Sequence, residues 1–264
     1  MNVIETKNLD LAYEDHQVVV NLNLTIPAGK ITSLIGPNGC GKSTILKALG
    51  RILKPRGGFV YLNSRDIQQL PTKTVAKALS ILPQAPVAPS GLTVWELVSY
   101  GRFPRRKTIG KLTAEDREII DWTLEETNLA DLGTAVVDNL SGGQRQRVWI
   151  AMAIAQQTEL ILLDEPTTYL DLAYQLEVLE MLEKLNRERN CTIAMVLHDL
   201  NLASRFSDYL IAVLDGRIIA EGSAEAIMVP AVLHDTFGID GEITQDPRTG
   251  KPACISYHLT TSRK

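Results

Sequence analysis

Residues 36–44, Gly36-Pro37-Asn38-Gly39-Cys40-Gly41-Lys42-Ser43-Thr44, match the spacing G-x-x-x-x-G-K-[ST] at every position. Glycines at this spacing let the backbone approach an anion and point successive N–H groups at it. A helix beginning at the end of the loop adds partial positive charge at the same place. The chemistry implied is the binding of a nucleoside triphosphate, with Lys42 reaching the β- and γ-phosphates and Ser43 ligating Mg²⁺. The alternative is a chance glycine-rich turn. Its neighbours argue against that, because the short β-branched run Lys30–Ile35 reads as a buried strand and Ser43–Leu49 reads as a helix.

A second apolar run, Leu160–Leu163, ends in Asp164 and Glu165. Two carboxylates at the tip of such a strand are costly without partners. In a chain that has a phosphate loop they have a use: Asp164 to hold Mg²⁺ and Glu165 to polarise an attacking water as general base. His198 follows a third apolar run, Ile193–Leu197. A lone histidine is more often packed or solvated than functional, and its place at a strand end is what singles it out. Ser141-Gly142-Gly143-Gln144 stands before a helical pattern that runs to about Gln157. A hydroxyl and flexible amides at a helix N-terminus suit an anion.

Ser141-Gly142-Gly143-Gln144, between a phosphate loop and an Asp-Glu strand end, resembles the signature of the ATP-binding cassette superfamily, with Leu140–Arg147 (LSGGQRQR) as its full form. On that resemblance Gln84 in Leu82-Pro83-Gln84 is the Q-loop glutamine, a sensor of Mg²⁺ and the attacking water. Asp171 in Leu170-Asp171 belongs to the D-loop, and His198 is the switch histidine that contacts the γ-phosphate. Tyr13 stacks on adenine, although an aromatic at this position also reads as core. The resemblance covers the whole chain, with the motifs in the family's order. It implies two copies closing head to tail on two ATP molecules, each held between the phosphate loop of one copy and Ser141 of the other. Hydrolysis then loosens the pair. The implied fold is α/β: a P-loop NTPase core with an N-terminal antiparallel β subdomain and an inserted α-helical lobe.

Elements that position these residues follow from the same patterns. Residues 1 to about 35 read as short strands, and Gly57–Leu62 as another. Pro86, Pro89 and Gly91 mark a linker, after which Thr93 to about Asn139 is helical in pattern. The expected division is a single cassette domain, with a nucleotide-binding core at 1–86 and 159–264 and a helical lobe at 87–158. Leu172, Leu176, Leu179, Leu182 and Leu185 mark one helix face, and Glu180 with Lys184 reads as an i,i+4 pair. Ile243–Leu259 reads as a hairpin around Asp246–Gly250.

With 264 residues, 45% hydrophobic content and a net charge of −4, the chain lacks the basic balance usual for a nucleic-acid binder. Three cysteines, at 40, 191 and 254, fit no metal spacing and imply a reducing compartment. Cys40 reads as a small filler within the loop. No signal peptide and no apolar stretch of bilayer length is visible, so a membrane channel, if there is one, is another chain.

Tyr100-Gly101-Arg102-Phe103-Pro104, Pro166–Asp171 and Leu197–Asn201 are similar to segments of the ATPases of iron-siderophore and cobalamin importers. That resemblance implies a peripheral subunit on the cytoplasmic face of the cell membrane, docked on integral permease subunits and served indirectly by a substrate-binding protein. Permease contact is expected around Gln84–Gly101, with Trp95, Leu97 and Val98 as either docking or lobe-core residues. The basic run Arg102, Arg105, Arg106 and Lys107 reads as a solvated loop or as a neighbour of anionic headgroups. Rival readings are a cassette ATPase acting in DNA repair or translation, and an importer ATPase for cobalamin, zinc, manganese or haem. The first usually carries a long coiled-coil insertion or two cassettes, and neither is present here.

Overall fold

The computed structural model describes residues 2–106 and 111–260. Lys107, the last member of the basic run, lies outside the described residues. Two compact units make up the chain: Met1–Leu70 with Thr192–Lys264, and Pro71–Cys191. Strand Leu79–Leu82 pairs in parallel with Leu160–Leu163, and helix Gly142–Ala155 packs on it, so both strands cluster with the helical stretch.

Among the described residues the first unit contains two larger sheets and a two-stranded one. In one, Asn2–Tyr13 pairs antiparallel with His16–Leu22, Thr25–Pro27 and Gly57–Leu62, and the last of these pairs with Arg65–Asp66. This is the antiparallel arrangement anticipated for the N-terminal stretch. In the other, Ile31–Ile35 lies between Thr192–Val196 and Tyr209–Leu214, parallel to both, and Arg217–Gly222 closes the order antiparallel to Tyr209–Leu214. All five residues of Ile31–Ile35 and all five of Thr192–Val196 are buried. Parallel strands covered on both faces are mostly apolar; Thr32, Ser33 and Thr192 are buried polar exceptions, and the Ser33 hydroxyl is met by that of Ser207 at 2.7 Å. The C-terminal hairpin pairs Ile239–Gln245 with Pro252–Leu259. Its turn is closed by Asp246, whose Oδ1 accepts from the amides of Arg248 at 2.7 Å and Thr249 at 3.1 Å.

Three helices of the second unit start with reciprocal capping. Thr93 and Glu96, Thr113 and Asp116, and Ser141 and Gln144 each exchange side-chain and backbone bonds across the first turn. Leu97 and Val98 are buried at 1% and 0% exposure, so they belong to the lobe core rather than to a docking surface. Trp95 turns its indole N–H to Asp121 Oδ1 at 3.0 Å. Lys184 Nζ, on helix Leu172–Arg189, pairs with Glu126 Oε2 of another helix at 2.6 Å. Burial pushes the Cys191 thiol up to about 11, in keeping with an inert interior cysteine.

Arg102 departs most from its sequence reading. Its side chain is 4% exposed and its Nε donates to Asp116 Oδ1 at 2.9 Å, while Nη1 donates to Ala155 O at 2.8 Å. Asp116 Oδ2 meanwhile accepts from the Thr113 amide and hydroxyl. Burial acts to raise the Asp116 pKa, but the Thr113 bonds and the Arg102 guanidinium outweigh it and hold the carboxyl below its usual value. A pKa depressed on folding stabilises above the unfolded value of about 3.9, and that contribution disappears as pH falls through the folded pKa. Asp116→Asn leaves Arg102 buried without its counter-charge and is expected to cost about 3 kcal/mol in urea unfolding at pH 7. The gap between parent and variant should narrow in acid, below the normal carboxylate range.

Candidate nucleotide site

In the first unit, the buried strand Ile31–Ile35 delivers the chain to Gly36, and helix Lys42–Leu49 begins six residues later. Gly36 has φ +150°, and a Cβ there would stand 2.1 Å from Val213 O and 2.9 Å from Cys40 Sγ. No other residue fits without moving the strand Tyr209–Leu214. Gly41, at φ +104°, caps the helix without a side-chain bond, so the first-turn amides keep no intrahelical acceptor. Lys42 is 4% exposed. Its Nζ donates to Gly36 O at 2.9 Å and to Pro37 O at 2.8 Å, and lies 3.7 Å from Cys40 Sγ. The ammonium is thus folded back over its own loop by carbonyl oxygens that a phosphate oxygen could replace. Asn38 and Gly39 are exposed at the tip, Ser43 is half-buried, and Thr44 is buried in the helix.

Cys40 is 4% exposed and packs inward, as a filler would. A Cβ on Gly41 would touch Val18 at 3.4 Å and Val19 at 3.5 Å. The hairpin Asn2–Tyr13/His16–Leu22 therefore runs beside the loop, and Tyr13, paired with His16 at its end, is 43% exposed. The ring is a surface platform and not core. His198 is exposed directly after the buried Leu197, and Asp199 caps the next helix by accepting from the Leu202 amide at 2.8 Å.

In the second unit, the ends of two parallel strands carry the other candidates. The Asp164 amide donates to Leu82 O at 2.9 Å, extending the pairing of Leu79–Leu82 with Leu160–Leu163 by one step. This holds Gln84 and Glu165 together: Gln84 Nε2 donates to Glu165 Oε2 at 2.6 Å. Thr168 Oγ1 donates to the same oxygen at 3.0 Å. Glu165 has φ +54°, an uncommon conformation for a side-chain-bearing residue and one that clusters at functional sites. Asp164 is 1% exposed at the end of a strand that is buried throughout.

The Ser141 hydroxyl accepts from the Gln144 amide at 3.2 Å, and Gln144 Oε1 accepts from the Ser141 amide at 3.1 Å. A Cβ on Gly142 would meet nothing within 4 Å, whereas one on Gly143 would stand 3.2 Å from the Tyr174 ring. Asp171 caps helix Leu172–Arg189, accepting from the Tyr174 amide at 3.0 Å. Gly143 and Asp171 are therefore joined through Tyr174. Sequence reading missed both Tyr174 and Thr168. Thr168 had a local signal, a hydroxyl three residues after Glu165; Tyr174 lies 31 positions from Gly143 and had none.

A family model described as ABC transporter matches residues 19–168. The iron(3+)-hydroxamate import ATP-binding protein FhuC of Bacillus subtilis (strain 168) is 58% identical over 264 residues, covering 100% of this chain and 98% of the relative. A solved metal-chelate type ABC transporter in an inward-facing conformation matches with a TM-score of 0.82 at 28% identity, covering 96% of each chain. A dimeric ATP-binding cassette in a post-hydrolysis state, bound to ADP and Pi, matches with a TM-score of 0.73 at 32% identity, covering 83% of this chain and 98% of that one.

Gly36→Ala is expected to displace the loop, since the new methyl cannot coexist with Val213 O. Titration with a fluorescent ATP analogue should show affinity reduced at least tenfold, with the far-UV circular dichroism of the parent retained.

Proposed function

The chain belongs to the ABC transporter ATPase family, and we propose that it is the ATP-hydrolysing subunit of a bacterial importer for ferric siderophores. The observation that carries this reading is the similarity, along the full length, to a subunit whose name specifies iron(3+)-hydroxamate import. Two copies acting with a separate integral permease complete the proposal. No described helix is long and apolar enough to cross a membrane, so the translocation path is assigned to other chains.

Each role follows from the chemistry of the side chain in its place. The amides of 39–44 and the Lys42 ammonium receive the phosphates, with phosphate oxygens taking over from the loop carbonyls that hold Lys42. Tyr13 presents its ring to the adenine. Asp164, a carboxylate at 1% exposure, suits a hard cation, and the Ser43 hydroxyl and the Gln84 amide oxygen are the other donors assigned to Mg²⁺. When bound, that ion neutralises charge on the β- and γ-phosphates.

Glu165 accepts a proton from water as the water oxygen bonds to the γ-phosphorus and the bond to the ADP oxygen breaks. Gln84 and Thr168 orient the carboxylate for this step. His198 steadies the γ-phosphate. Ser141, Gly142 and Gly143 of the second copy complete its coordination, and Asp171 lies at the same junction. Tyr169 and Leu172, 95% and 66% exposed beside Asp171, are apolar surface that such a junction would cover. Loss of the γ-phosphate removes the shared anion and lets the copies part.

Lys42→Ala should lower ATP affinity and leave no measurable phosphate release. Glu165→Gln should bind ATP as the parent does, hydrolyse it at least a hundredfold more slowly, and run as a dimer in size-exclusion chromatography with ATP. A Glu165→Gln protein that turns over at the parent rate would refute the role of that carboxylate. Cargo is tested separately: uptake of radiolabelled ferric hydroxamate by a deletion strain should be lost and restored by the parent gene. Unchanged uptake in that strain would refute the siderophore reading while leaving the ATPase assignment intact.

A further inference from the structure

Charge along this chain is unevenly spread. Residues 71–114 contain seven Lys or Arg and a single carboxylate, Glu96, although the whole chain has a net charge of −4. Arg102 is neutralised internally by Asp116. Four of the others meet on one surface. Helix Thr72–Ala78 exposes Lys73 and Lys77 at i,i+4 spacing, on one side of the helix. Lys73 Nζ donates to Arg106 O at 3.1 Å, and Arg105 Nη2 donates to Lys77 O at 3.3 Å. Arg105 Nε also donates to Gln156 O at 2.8 Å, and Arg106 Nη2 to Ser99 O at 2.9 Å.

These acceptors are backbone carbonyls, which hold the side chains in place without cancelling their charge. Glu115 and Glu159 are the carboxylates that reach Arg105 electrostatically. Against them, burial and then the like charge of Arg102 draw the Arg105 pKa below its ordinary value.

Apolar surface adjoins the cations. Phe103 is 64% exposed and Tyr100 46%, and the Arg106 guanidinium lies 6.0 Å from the centroid of the Phe103 ring. Cations held beside exposed aromatic rings suit a headgroup layer, where charge meets lipid phosphate and rings enter the acyl boundary. A protein partner would have to supply several carboxylates to match this surface, whereas an anionic bilayer presents uncompensated phosphates everywhere. We infer that Lys73, Lys77, Arg105, Arg106 and Phe103 form a contact surface for anionic lipid headgroups, one that works without any membrane protein. This goes beyond the importer reading and does not use it.

The test is co-sedimentation of the full chain with vesicles of phosphatidylglycerol and phosphatidylcholine, compared with phosphatidylcholine alone. Binding is expected to the anionic vesicles only, and to fall steeply between low and high salt. Lys73→Gln with Lys77→Gln should weaken it about 30-fold, at about fivefold per cation, while ATP hydrolysis in the absence of lipid stays at the parent rate. Phe103→Ser should weaken binding with the charge intact. Three results would overturn the inference: no binding of the parent to anionic vesicles, as expected if the surface serves a protein; equal binding to both compositions; or a double variant that binds like the parent.

Discussion

A triphosphate can be gripped by backbone amides only where no side chain stands between chain and anion. In this protein the base of the loop adds a second demand for glycine, because a Cβ on Gly36 would lie 2.1 Å from Val213 O. The carbonyl that would collide is part of the strand Tyr209–Leu214, which is hydrogen-bonded to the strand that feeds the loop. Loop and sheet are therefore fitted to each other at one atom. The fully buried strand Ile31–Ile35, held between two parallel neighbours, leaves the loop little freedom at its base. Lys42 adds a buried charge that the carbonyls of its own loop hold close to the glycines.

The second unit treats carboxylates in a comparable way. One additional backbone bond past the strand ends, from the Asp164 amide to Leu82 O, sets Gln84 and Glu165 within 2.6 Å. A left-handed residue at Glu165 costs about 1–3 kcal/mol, and the bonds from Gln84 and Thr168 hold the side chain that results. Elsewhere in this unit, rigidity comes from helix starts. Asp116 is both a capping residue and the counter-ion of Arg102, so one carboxylate orients a helix and neutralises a buried guanidinium.

What could be read along the chain was whatever is encoded by neighbours in sequence. Glycine spacing, the apolar runs before 36, 164 and 198, the helix start at Ser141 and the Asp246 turn all rest on local conformational chemistry, and each element stands where its pattern placed it. Pairings between distant residues were another matter. Lys184 found Glu126 on another helix, Arg102 turned inward to Asp116, and Leu97 and Val98 went to the core. Tyr13 went to the surface, although its spacing also suited the interior.

The sequence by itself determined the local pattern: the glycine spacing, the carboxylate pair at a strand end, and the family's order of motifs. Those depend on residue type and on φ/ψ preferences that act over a few positions. Only the tertiary structure decided which of the cations are paired and which stay uncancelled, and which ring supports Gly143. Such choices depend on the nearest partner in space, and burial makes a missing partner costly.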